Sequence, residues 1–216
     1  MSSDVNSQPT WDELRYRVYW LPVATAALCS SRPAVRAPIS SLVSKCLVWC
    51  DVNEREFFAI TDEMTAAWGV TIQAVQERAS ANNMALLADK RVSIERWAGA
   101  PVALLPVQGV LKSAALLAGN LREFVGPTLP WPLHAVMPAG DFVLLFSQQQ
   151  PNLIDAVSEV VLREFQAANS RYADAADAAP LRNNLAHGGI SPELFVIDDV
   201  GLRAVGRFVA DDPAKA

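Results

Sequence analysis

The pattern of apolar and polar positions is most legible between residues 133 and 165, LHAVMPAGDFVLLFSQQQPNLIDAVSEVVLREF, where two apolar runs flank a turn and give way to a helical pattern. Leu133 to Met137 and Phe142 to Phe146 are rich in branched and aromatic side chains and predict a hairpin. Met137-Pro138-Ala139-Gly140 suits a type I turn between them, with Pro second and Gly fourth. Phe142 to Phe146 is apolar at every position, which a strand tolerates only when both its faces are covered, so it is expected in the middle of a sheet. Pro151 and Asn152 then open a helix. Its Leu153, Ile154, Val157, Val160, Val161 and Phe165 recur at helical spacing, while Asp155, Glu159, Arg163 and Glu164 fall elsewhere, so it should pack on that sheet.

Further upstream, Thr10 and Glu13 form a Thr-x-x-Glu capping box that predicts a helix whose Trp11, Leu14, Val18 and Leu21 share one face, ended or kinked by Pro22. A second apolar piece runs from Val23 to Cys29, and a loop is expected from Ser30 to Ser41. Lys45 to Val52 and Glu56 to Ile60 read as strands joined by a polar turn around Asn53. Thr61 caps a short helix stopped by Gly69; Thr71 caps a second, with Val70 and Val75 as its hydrophobic staple. Val92 to Trp97 and Val102 to Leu105 read as strands, followed by a helix from Val110 to about Phe124 ended by Gly126 and Pro127. An alanine-rich, partly acidic connection at 173–179 leads to a last hairpin, Leu181 to Ala186 and Glu193 to Ile197, turning through His187-Gly188-Gly189.

These elements predict an α+β fold: a mixed, largely antiparallel sheet built from hairpins, with helices packed on it. The expected division is an N-terminal helical segment over 1–44, an α+β domain over 45–210 that is either one unit or two lobes meeting near residue 100, and a disordered tail over 211–216. With 216 residues the chain can bury roughly 70% of its unfolded surface, so it needs neither metal nor disulfide to fold. A net charge of −5 argues against a protein that neutralises phosphates, so nucleic acid is not an expected partner. Three cysteines do not make a disulfide framework, and the start MSSDVNSQPTWDELR lacks the basic-then-apolar pattern of a signal peptide; the cytoplasm is expected. No apolar run reaches the roughly 18 residues of a membrane span. The hydrophobic fraction of 51% against 19% charged residues leaves little polar material to cover a surface, which points to apolar surface shared with a partner.

Three segments, FFAITDEMTAAWGVTIQAVQERASANN, AVMPAGDFVLLF and PLRNNLAHGGISPELFVID, resemble in pattern and order the YtpQ-like family, bacterial proteins of unknown activity. The likeness spans about residues 45 to 199 and implies a mixed α+β fold. Family members usually carry a short polar residue, often His or Ser, after the Pro of the central hairpin and then an acidic one; here Ala139-Gly140 intervene before Asp141. The family supplies no agreed activity to carry over.

Candidate chemistry is sparse. His187-Gly188-Gly189 matches the turn that forms an oxyanion hole in lipases, but no G-x-S-x-G nucleophile elbow accompanies it, so a glycine turn is the better reading. Cys46 and Cys50 fit no metal-knuckle spacing and read as buried thiols. No glycine-rich phosphate loop is present, and no cofactor or metal is expected. Asp141, at a strand start, reads as a turn residue whose carboxylate accepts bonds from the preceding turn; combined with His134 and His187 it is also the one defensible acid–base set. The expected function is a non-enzymatic, protein-binding or accessory factor, an immunity-type protein being one form of it, with another protein or a second copy of the chain as partner. The alternative is a small-molecule or hydrolytic enzyme using Asp141, His134 and His187. For contact residues the aromatics Tyr16, Tyr19 and Trp20, off the helix stripe, and Trp131, between two prolines, are the candidates, because Tyr and Trp are enriched at binding hot spots.

Overall fold

The computed structural model describes residues 9–28, 33–51, 53, 56–175, 185 and 188–210. Among them are ten strands and six α-helices, an α+β fold. The strands form two sheets where one was expected, and the pairings between named strands are antiparallel. In the first sheet β3 (Val43–Cys50) pairs along one side with β1 (Val18–Ala24) and along the other with β2 (Arg36–Pro38) and β4 (Phe57–Ala59). The second sheet holds β5 (Ser93–Trp97), β6 (Ala100–Leu104), β7 (Leu133–Ala139), β8 (Phe142–Ser147), β9 (Glu193–Asp198) and β10 (Gly201–Arg207), in the order β10-β9-β7-β8-β6-β5.

Strand alternation makes the layers. Tyr19, Leu21, Val23, Cys46 and Val48 point from the first sheet into a core that also takes Ala135, Met137, Val143, Leu145 and Phe195 from the second. On the outer face of the second sheet, Val136, Leu144 and Phe146 meet Leu153, Val157 and Val161 of α6 (Asn152–Ala175). On the outer face of the first, Val18, Leu47 and Ile60 meet α1 (Trp11–Leu14) through Leu14 and α3 (Ile72–Ala85) through Val75 and Ala79. Strand β8 therefore lies between β6 and β7 with both faces covered, as its unbroken apolar run requires.

The capping box at Thr10 and Glu13 forms, but the helix it opens is one turn long, and residues 18–24 are a strand. Val18, Tyr19, Trp20 and Val23 are β-formers, and pairing with β3 outweighs a spacing that also suited a helix. Among the described residues up to 44, β1 and β2 both pair with β3. Pro22 sits inside β1, an edge strand, and Trp20 explains why. The Trp20 N–H points away from β3, so the nitrogen of Pro22, two residues on, faces the same way and breaks no ladder bond.

Downstream, α2 (Asp62–Trp68) and α3 start at Thr61 and Thr71, whose hydroxyls accept from the backbone N–H of Met64 and Ala74; Gly69 ends α2 in the left-handed conformation. The helix expected over 110–124 is broken: α4 (Leu111–Ala114) runs into a 3-10 turn over Ala115–Leu117, Ala118 is extended, and α5 (Leu121–Val125) begins anew. The β7–β8 turn falls at Gly140 and Asp141, two residues later than the sequence suggested, with Pro138 and Ala139 drawn into β7. Gly140 is held there: its carbonyl accepts from the Ser113 N–H at 3.0 Å, and a Cβ would lie 2.9 Å from Val110 Cγ1. Strand β9 makes its hairpin forward with β10, through Asp199 and Val200. Most of 181–187, like the tail at 211–216, lies outside the described residues. Glu193, 6% exposed, accepts from the hydroxyls of Ser40 and Ser191 at 2.7 Å each, tying the β2–β3 turn of one sheet to β9 of the other.

Candidate functional site

Between the 3-10 turn with α5 on one side and the β9–β10 turn on the other lies a cleft of about 420 Å³, lined also by Lys45 of β3 and by Trp131. Its apolar lining is the buried Leu116, Leu121 and Ile197 together with the partly exposed Leu202. Arg122 lies over the Trp131 ring at 5.6 Å and pairs with Asp199 Oδ1 at 2.6 Å, and Trp131 Nε1–H donates to the same oxygen at 3.2 Å. The indole is thus gripped on a face and at its nitrogen, which fixes its orientation. Next to it, Asp198 accepts from Arg203 at 2.8 Å and from the Val200 and Gly201 N–H groups; chiefly the Arg203 bond holds its carboxyl below the usual range.

Lys45 also lines a second, wider cleft of about 740 Å³, formed with Trp20 and with Gln73, Gln76, Ser80 and Met84 of α3. Its ammonium stands 5.2 Å from the Trp20 ring centroid. The two clefts therefore adjoin at one lysine, bringing Trp20 and Trp131 to neighbouring sites. A third hollow of about 340 Å³, between the β5–β6 turn and the start of α6, has no charged residue in its lining.

The four aromatic contact candidates separate. Trp20 and Trp131 are half-buried on the clefts. Tyr16 is the most open, 60% exposed, with Arg15 and Arg78 against its ring at 4.9 and 5.4 Å. Tyr16 lines neither cleft. Tyr19 belongs to the core at 6% exposure, a correction that follows from β1 being a strand: alternation sends Tyr19 inward with Leu21 and Trp20 outward toward α3.

Of the acid–base set, His134 stands on β7 opposite Phe146, whose ring it meets edge-on at 5.3 Å, and burial lowers its pKa. Asp141 is at the far end of that hairpin, five residues from Phe146 and so about 16 Å along the strand. His187 lies outside the described residues. The expected turn bonds to Asp141 are not found: its side chain is exposed, and no hydrogen bond to its carboxylate occurs among the described residues. Gly189, after the histidine, has its N–H taken by Asn169 Oδ1 of α6 at 3.0 Å. Among the described residues no group of three or more His, Cys, Asp or Glu side chains could hold a metal, and no helix is long and apolar enough to cross a membrane.

Comparison with protein-family models, with curated proteins and with solved structures finds no match. The site is therefore read from its own chemistry.

Lys45 and Arg122, which line the smaller cleft with Asp198 and Asp199, were not singled out by sequence reasoning. Lys45 left one trace, a lone charge in the largely apolar run Leu42 to Trp49; the pairing of Arg122 with Asp199, 77 positions away, left none.

Proposed function

We propose that this chain is a non-enzymatic, cytoplasmic binding protein whose contact face is the pair of clefts meeting at Lys45. The observation that supports it is the placement of Trp20 and Trp131, far apart in sequence, half-exposed on adjoining clefts. A held indole beside an apolar hollow presents large contact area at small entropic cost, the property of a binding hot spot. Kinship with the YtpQ-like family and an accessory or immunity-type role belong to the same proposal.

The test compares wild type with Trp20→Ala and Trp131→Ala. Association is followed as the solution mass of the purified chain over a concentration range, and as affinity for any partner identified with the wild type. Each variant should fold and lose affinity by about 10-fold or more. If both variants fold and associate as the wild type does, the contact face lies elsewhere and the proposal fails.

A further inference from the structure

The charges of the smaller cleft divide unequally. Arg122 is compensated by Asp199 at 2.6 Å and Asp198 by Arg203 at 2.8 Å, while Lys45 makes no ion pair among the described residues. Its ammonium has the Trp20 ring at 5.2 Å, and a ring contact leaves N–H donors over for an anion. Both clefts lined by that uncompensated cation carry partly exposed apolar side chains, Leu202 and Trp131 in one, Trp20 and Met84 in the other. Because both clefts include Lys45, a chain passing from one into the other crosses over the lysine.

Resting on the binding reading above, we infer that the clefts receive an extended segment of a partner protein with one acidic residue between apolar neighbours. The acidic carboxylate accepts from Lys45 Nζ, one apolar side chain lies against Trp131 and Leu202, and the other against Trp20 and Met84. A desolvated lysine–carboxylate contact is a charge-assisted hydrogen bond, which fixes the register of the segment. Glu77, exposed on the wider cleft and bonded by Gln73 at 2.9 Å, disfavours a second acid there, so the segment carries a single carboxylate rather than an acidic run.

The test titrates the isotope-labelled full chain with an end-blocked heptapeptide, Gly-Ser-Leu-Glu-Leu-Ser-Gly, and with its counterpart in which Gln replaces Glu, following the indole N–H signals of Trp20 and Trp131. The Glu peptide should move both signals and bind about 10-fold or more tightly than the Gln peptide. Lys45→Met should abolish that preference while its thermal midpoint stays near that of the wild type; if this substitution disturbs folding, Lys45→Gln serves in its place. Equal binding of the two peptides, no movement of either signal up to millimolar peptide, or a preference that survives loss of the lysine would each overturn the inference. So would tighter binding of 3-phenylpropionate than of the peptide, which would make the cleft a small-molecule site. Failure here is distinguishable from failure of the binding reading: if Trp20→Ala and Trp131→Ala still weaken association with an identified partner, the clefts bind by apolar contact alone.

Discussion

The side-chain amide of Asn83 bonds to both backbone groups of Trp20: its Oδ1 accepts from the Trp20 N–H at 3.0 Å, and its Nδ2 donates to the Trp20 carbonyl at 2.9 Å. The same Nδ2 donates to the Ala114 carbonyl at 2.7 Å, and Asn83 is fully buried. One helical side chain thus stands where a further strand would, closing the open edge of β1. Its neighbour Asn82 donates to the Arg15 and Val18 carbonyls at 2.9 and 2.8 Å. Edge groups that would otherwise template pairing with another chain are satisfied internally.

Asn83→Leu should therefore cost about 3 kcal/mol, because it leaves up to three backbone groups without partners in a largely buried place. Chemical denaturation measures it. A loss under about 1 kcal/mol would show that water replaces the amide and that the edge closure is not needed for stability.

Gly189→Ala should destabilise through overpacking, by about 1 to 3 kcal/mol, since a Cβ there would lie 2.5 Å from the Phe165 ring and 2.9 Å from Asn169 Nδ2. Gly206→Ala is the control, because nothing lies within 4 Å of its added carbon. The thermal midpoint should fall for the first variant and hold for the second. Equal midpoints would mean that α6 shifts freely.

Leu144→Asp and Leu145→Asp should both prevent soluble expression, for different layers. Leu144 faces α6 and Leu145 faces the core between the sheets, so either change buries an unpaired charge at a cost of several kcal/mol, on the order of the whole stability of a domain. Soluble, folded protein from either variant would show that its face of β8 is open to water.

His134 should make the protein acid-sensitive. Burial lowers its folded pKa below the ordinary value of 6.5, so as pH falls below that value the unfolded chain takes up a proton that the folded chain resists. The contribution is present above pH 6.5 and is lost as pH falls toward the lowered value. Nδ1 is buried without a hydrogen-bond partner, which agrees with a neutral ring accepting this cost on β7. Measured from about pH 7 to about pH 5, the loss of stability should be smaller in His134→Leu than in wild type; parallel curves would assign the sensitivity to carboxylates instead.

Local chemistry alone determined several elements of this protein. The hydroxyls of Thr61 and Thr71 and the backbone freedom of Gly69 act within one helical turn, so the α2–α3 pair was legible from residue types. The unbroken apolar run Val143 to Phe146 requires cover on both faces whatever provides it, and this made β8 central. Tertiary structure decided what local pattern left open. The spacing of Trp11, Leu14, Val18 and Leu21 suited a helix, and only pairing with β3, further along the chain, selects the strand, turns Tyr19 inward and leaves Trp20 at the surface. The clefts depend still more on assembly. Lys45, Arg122, Trp131 and Asp199 come from four separate segments, and a charge reveals whether it is compensated only once its neighbours in space are known.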